Sequence, residues 1–332
     1  MDSSLIVNDF DLTHLNTMGL KARARFGAEV KSVVHLQALA AFAEERGVPL
    51  RIIGGGSNLL PHEDVNAVVG VMAMRGFAVT GETESHTLVT AQAGEQWSDF
   101  VRWTVGQGLG GLENLVEIPG TVGAAPIQNI GAYGLEIADR FESLTAYDLE
   151  EGRLRVFTRE ECGFGYRQSV FKQLGGRYVV IVVTLALPKV WKPILSYAGL
   201  DSLPADVDAT TVMERVAALR ASKLPDWRVL GNAGSFFHNP VVTAEVADGI
   251  AGVPRYPQAD GTVKLSAAWL IDACGLKGHR DGPVGVYAGH ALILVNHGGA
   301  AYRDIGRLAG TVREAVEERF GVKLVQEPLE LV

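Results

Sequence analysis

Two runs of small residues in this chain have the composition of a phosphate cradle. Gly54-Gly55-Gly56-Ser57-Asn58 follows a β-type stretch, and consecutive unhindered amides of that kind serve a pyrophosphate or a structural turn equally well. Pro119-Gly120-Thr121-Val122-Gly123 repeats the pattern, again letting backbone N–H groups reach a phosphate or the polar edge of a bound ring. Neither run is a standard nucleotide fingerprint. The first meets two positions of G-x-G-x-x-G but has Leu59 at the third, with no helical pattern directly after it, and no G-x-x-x-x-G-K-[ST] occurs. Ser235 follows Gly234, but a hydrolase elbow G-x-S-x-G needs glycine where this chain has Ala233 and Phe237. Taken alone, a serine after glycine is a turn residue. Arg167 and Lys223, taken singly, are solvated cations. His279, His290 and His297 lack the i, i+4 spacing of a helical metal site and have no carboxylate cluster with them, so no metal is expected. Cys162 and Cys274 are too few for a disulfide framework and are expected to be packed thiols.

The elements that must hold these residues are legible in part. A helix is predicted over 36–46, after Ser32 and up to Gly47-Val48-Pro49. Strands follow at 50–53, 67–71 and 87–93, then an amphipathic helix over 97–107. The stretch 118–134 has four glycines and no period, which suits a backbone shaped for close approach. Strands are expected at 143–148 and 178–187, and a polar interval at 200–211 reads as a linker before a helix over 212–222 that Pro225 closes. The remainder predicts a helix over 265–274, strands at 285–287 and 291–296, and a last helix over 305–320 with apolar Leu308, Val312, Val316 and Phe320.

With 332 residues, 47% of them hydrophobic, the chain can bury more than one core and divides into two or three domains. A net charge of -8 and a pI near 5.5 leave no basic surface for nucleic acid or anionic membrane. The start, MDSSLIVNDF, carries Asp2 and no basic stretch ahead of an apolar core, unlike a signal peptide. The longest apolar run, 178–187, is about half of the ~20 residues a membrane span needs. A cytoplasmic monomer is the expectation.

GGGSNLL, IPGTVGAAPIQNIGAYG, FGYRQSVFK, KLPDWRVLGNAGSFFHNP and YPQADGTVKLSAAWLIDACGLKG occur in one order along the chain. Together they resemble the UDP-N-acetylenolpyruvoylglucosamine reductases, from about Asn16 onward. The resemblance implies an α+β chain with an FAD-binding fold of the vanillyl-alcohol-oxidase (PCMH) type and a separate C-terminal α+β substrate domain. It divides the chain into a first flavin subdomain over 1–70 joined by 325–332, a second over 71–211, and a substrate domain over 212–324. It implies NADPH-dependent, FAD-mediated reduction of UDP-N-acetylglucosamine enolpyruvate to UDP-N-acetylmuramate, a step of peptidoglycan and hence cell-wall synthesis. FAD would lie on Gly54, Gly55, Gly56, Ser57, Asn58, Pro119, Gly120, Thr121, Gly123, Asn129 and Gly131. His62 could tether a flavin, but the family holds FAD noncovalently.

Reducing an enol ether requires hydride at one carbon, a proton at its neighbour, and stabilisation of the charge that spreads into the carboxylate. The resemblance places Ser235 as proton donor, Arg167 facing the developing enolate, and Glu327 beside them. The family closes with Leu-Glu-Pro-Glu where this chain has Leu324-Val325-Gln326-Glu327-Pro328-Leu329-Glu330, so Glu330 is the alternative carboxylate. Tyr166, Lys223, Asn239 and His290 fall at substrate positions. Ser196-Tyr197-Ala198-Gly199-Leu200 is similar to the loop of the family's first subtype, whose tyrosine covers the substrate. Two competing readings are a non-catalytic flavin or sugar-nucleotide binding protein and an FAD oxidase of the same fold. Ser235 and Arg167 weigh against the first, and Tyr197, Lys223 and Asn239 against the second.

Overall fold

The computed structural model describes residues 6–332, so Asp2 lies outside the described residues. The chain packs as two units and passes between them five times. One unit holds residues 6–10, Arg25–Gly55 and Asn66–Arg220, and the other holds Asp11–Ala24, Gly56–Val65 and Ala221–Val332.

The first unit is built on two sheets. One is ordered Val7–Asp11, Arg23–Val30, Asp64–Met72, Leu50–Ile53, with the last two strands parallel. The other is antiparallel throughout, ordered Arg153–Thr158, Phe141–Asp148, Tyr178–Pro188, His86–Gln92, Phe77–Glu82. The helix Val33–Arg46 starts three residues earlier than its apolar pattern predicts, because the Ser32 side chain accepts from His35 N–H. It stops at Gly47, whose φ of 63° is the left-handed conformation of a glycine stop. The helix Trp97–Gly106 buries Trp97, Phe100, Val101 and Thr104, the predicted face. The polar interval 200–211 is packed and not a free linker: Leu200 and Val207 are buried in this unit's core, and Asp208 caps the helix Ala209–Lys223 by accepting from Thr211 N–H at 2.7 Å. Composition misled there because a few apolar anchors suffice to dock an otherwise polar stretch.

The second unit has an antiparallel sheet ordered Gly231–Ser235, Ile293–Asn296, Val284–Val286, Arg280–Asp281, and a small one of Val241–Val242, Val263–Leu265 and Arg255–Pro257. Leu329–Leu331 pairs in parallel with Leu59–Pro61. The last helix, Tyr302–Phe320, buries Ile305, Leu308, Val312 and Val316, a period-3.6 stripe, while Phe320 packs at the rim against Trp269 with ring centroids 5.9 Å apart. Met18, Leu20 and Leu60 are fully buried in this unit's core beside Phe236, Leu270 and Leu308. Cys162 is buried and Cys274 half-buried, both as free thiols. Among the described residues no helix is long and apolar enough to cross a membrane.

Candidate active site

In the first unit the two glycine runs meet. A Cβ on Gly55 would stand 3.1 Å from the Gly120 Cα, and one on Gly54 would stand 2.5 Å from the Thr121 Oγ1. Only glycine lets these backbones approach so closely. The second run is tied to the segment that opens the helix Trp97–Gly106: Trp97 N–H donates to Gly120, Val122 N–H to Glu95 and Gly123 N–H to Ala93. Gly123 also admits no Cβ, since Ala93 Cβ would lie 2.5 Å away. The remaining residues of the first run, Gly56, Ser57 and Asn58, belong to the second unit, where Gly56 has φ 64° and lies against the Leu15 carbonyl.

Asn129 and Arg167 form one network. The buried Asn129 amide donates to Glu136 Oε2 at 2.7 Å and to Gly165 O at 3.0 Å, and its Oδ1 accepts from Ala138 N–H. Arg167 Nη1 donates to Asn129 O at 3.0 Å and Nη2 to Gly131 O at 2.8 Å, with Glu136 3.8 Å away. A Cβ on Gly131 would stand 2.8 Å from Glu136 Cγ, 3.0 Å from Leu135 O and 3.1 Å from that guanidinium. The Arg167 backbone has φ 101°, a strained conformation for a side-chain-bearing residue. Its guanidinium lies over the Tyr166 ring at 5.1 Å.

Tyr197 is well exposed and meets the buried Tyr133 edge-on, with centroids 4.8 Å apart. Burial raises the Tyr133 hydroxyl pKa against the pull of the Arg220 guanidinium, and burial likewise lowers Arg220, whose Nε donates to Glu117 O at 3.1 Å. Sequence reasoning singled out neither Tyr133 nor Arg220, although Tyr133 lies inside a quoted motif. Gln128, next to Asn129, has a buried Nε2 with no hydrogen-bond partner among the described residues, a group that costs about 1–3 kcal/mol unless a ligand atom accepts from it. The glycine cradle and this donor both fit a polar planar cofactor.

In the second unit Gly231–Ser235 presents Ser235 outward between buried Ala233 and Phe236. Gly234, at φ 68°, sits in the strand irregularity just before it. Val325–Glu327 lies alongside: His238 N–H donates to Val325 O and Glu327 N–H to Phe236 O, each at 2.9 Å. The Glu327 carboxylate is 3.4 Å from His238 Nδ1. Glu330 points elsewhere, to His62 Nε2 at 3.1 Å and to the Tyr302 hydroxyl. Asn239 Oδ1 accepts at 3.0 Å from the N–H of Ala267, the first residue of the helix Ala267–Ala273, which Ser266 caps. His290 Nδ1 accepts from Leu292 N–H, and its pKa is lowered first by burial and then by the charges of Lys223 and Lys277. Lys277 lies inside a quoted motif, but nothing in its residue type singled it out.

Residues 225–331 match the family model described as the C-terminal domain of UDP-N-acetylenolpyruvoylglucosamine reductase, and 25–158 match an FAD-binding domain. The Pseudomonas aeruginosa protein named UDP-N-acetylenolpyruvoylglucosamine reductase is 49% identical over 94% of this chain and 95% of its own length. The chain belongs to that family. The Azoarcus sp. reductase of the same name is 47% identical over 98% of this chain and 97% of its own length. The crystal structure of the Thermus caldophilus reductase superposes with a TM-score of 0.70 at 26% identity, covering 98% of both chains. The family read from the motif order is borne out, as are the FAD-binding fold and the separate C-terminal domain.

Proposed function

We propose that this chain reduces UDP-N-acetylglucosamine enolpyruvate to UDP-N-acetylmuramate with NADPH, in the cytoplasm and as a monomer, as a step of peptidoglycan synthesis. The observation that carries the reading is the interlocked Gly54-Gly55 and Gly120-Thr121 backbone in a chain whose residues 25–158 match an FAD-binding domain. FAD held there would supply the hydride transfer from NADPH to the substrate. The glycine runs hold it noncovalently, with Gly56, Ser57, Asn58, Pro119, Gly123, Asn129 and Gly131 in the same role.

Ser235 gives its hydroxyl proton to the carbon next to the one that receives hydride, and the strand irregularity at Gly234 leaves that residue exposed. Arg167, held in orientation by two carbonyls, stabilises the charge that spreads into the substrate carboxylate. Glu327 fits the third role better than Glu330, because its backbone is bonded to the residue that follows Ser235. Lys223, Asn239 and His290 bind the diphosphate and uridine, and Tyr166 lines the substrate. Tyr197, backed by Tyr133, covers the substrate as in the first subtype. The flavin subdomains over 1–70 with 325–332 and over 71–211, and the substrate domain over 212–324, complete the assignment.

The test is direct. Purified protein is expected to show flavin absorbance and to oxidise NADPH only when the enolpyruvyl UDP-sugar is present; equal rates with and without it would sink the reading. Ser235→Ala is expected to leave flavin reduction by NADPH fast while turnover falls about 10²–10⁴-fold. Equal loss of both half-reactions would refute the donor role.

A further inference from the structure

The segment that carries Glu327 changes partners in mid-course. Upstream it is bonded to 236–238, through Val325 O and Glu327 N–H and a bridge between Gln326 and Phe237. Downstream it is bonded to 58–62: Leu329 N–H donates to Asn58 O at 3.0 Å, His62 N–H to Leu331 O at 2.9 Å, and Leu329–Leu331 lies parallel to Leu59–Pro61. The changeover falls at Pro328, which has no N–H to anchor it. Side chains span the gap. Gln326 Nε2 donates to Pro328 O at 3.0 Å, and Gln326 also bonds to the Glu330 carboxylate. That carboxylate takes two further bonds, from His62 Nε2 at 3.1 Å and from the Tyr302 hydroxyl. The His62 and Tyr302 rings stack 3.7 Å apart at 20°, and Tyr302 opens the helix Tyr302–Phe320. Burial alone would raise the Glu330 pKa, yet the bonds from Tyr302 and His62 outweigh it and lower that pKa.

We propose that Glu330, with His62, Tyr302 and Gln326, is a positioning cluster that, together with the backbone bond from Glu327 N–H to Phe236 O, holds Glu327 in its productive place beside the Ser235 strand, across a proline that itself has no N–H to give. The proposal rests on the assignment of Glu327 above. Glu330 acts through Glu327 and not on the substrate. A misplacement near 1 Å of a catalytic group costs on the order of 100-fold in rate, whereas the half-exposed His62–Glu330 pair, with side chains 31% and 43% accessible, adds little to global stability. A positioning role and a merely structural one therefore separate.

Glu330→Ala is expected to slow flavin reoxidation by the enolpyruvyl substrate about 10- to 100-fold, to leave flavin reduction by NADPH within about twofold, and to shift the melting temperature by only a degree or two. Tyr302→Phe, which removes one hydroxyl, is expected to do the same more mildly, and Glu330→Gln, which keeps an acceptor, to recover most of the rate. In a Glu327→Gln background Glu330→Ala is expected to cost nothing further. In the flavin-free protein, amide exchange at Gln326 and Glu327 is expected to rise in Glu330→Ala and in Tyr302→Phe. Additive losses in the double variant, or unchanged reoxidation and exchange in both single variants, would overturn the proposal while leaving Glu327 in its role. A Glu327→Gln enzyme with wild-type reoxidation would overturn the Glu327 assignment and this proposal together.

Discussion

Arg167 shows most clearly how much of the site rests on single side chains. Its guanidinium spans the Asn129 and Gly131 carbonyls at 3.0 and 2.8 Å, a fork that a lysine ammonium cannot reproduce. Arg167→Lys keeps the charge and loses the orientation, so kcat is expected to fall about 10²–10³-fold with a smaller change in KM; a wild-type kcat would exclude the enolate role. Gly56 sets a different limit, since its φ is 64° and a Cβ would stand 1.9 Å from Leu15 O. Gly56→Ala is expected to lose about 3 kcal/mol or more in denaturant unfolding. Ser235 and Arg167 were legible because long motifs flank them. Tyr133 was passed over because an Ala-Tyr-Gly triplet has no spacing signature of its own, and its surroundings, Tyr197 and Arg220, come from far along the chain. The choice of Glu327 over Glu330 could not be read from Glu-Pro-Leu-Glu either, since it depends on which neighbouring strand each residue meets.

Helices and long strands were readable where local chemistry marks their ends. Ser32 and Gly47 bracket Val33–Arg46 through a side-chain bond and a left-handed φ, features that residue type alone announces. The strands of two or three residues, such as Val241–Val242 and Leu329–Leu331, are too short to show a period, and only their partners make them strands. Phe141–Asp148 ends on an ion pair: buried Asp148 accepts from Arg177 Nε at 3.1 Å and Nη2 at 2.7 Å, and from Glu150 and Glu151 N–H. The Arg177 bonds hold its pKa at about 2, below its usual 3.8. A depressed carboxylate contributes fully above its unfolded value and loses that contribution as pH falls through the folded one. Asp148→Asn is therefore expected to be less stable than wild type at neutral pH, with the gap closing between about pH 4 and pH 2 in urea titrations. A constant gap across that range would exclude the ionic origin.

At the scale of the whole molecule, length and hydrophobic content foretold more than one core but not how the chain is threaded between them. The excursions 11–24 and 56–65 look like loops and turns locally, yet they deliver Met18, Leu20 and Leu60 to the second core at 0% exposure each. Burying one such side chain is worth about 1.5–3 kcal/mol, so losing three removes about 5–9 kcal/mol, as much as many domains have in total. A fragment of 221–332, despite holding the whole of the C-terminal domain match, is expected to show no cooperative unfolding transition. A sharp melt from that fragment would contradict it. The same threading also orders events during synthesis. The pair His62–Glu330 is separated by 268 residues, and at about 5–20 residues per second a ribosome needs roughly 15–50 s to bring the second partner out after the first. Leu60 waits that long for the strand that helps bury it, so nascent chains of this protein offer chaperones an apolar segment for most of their translation.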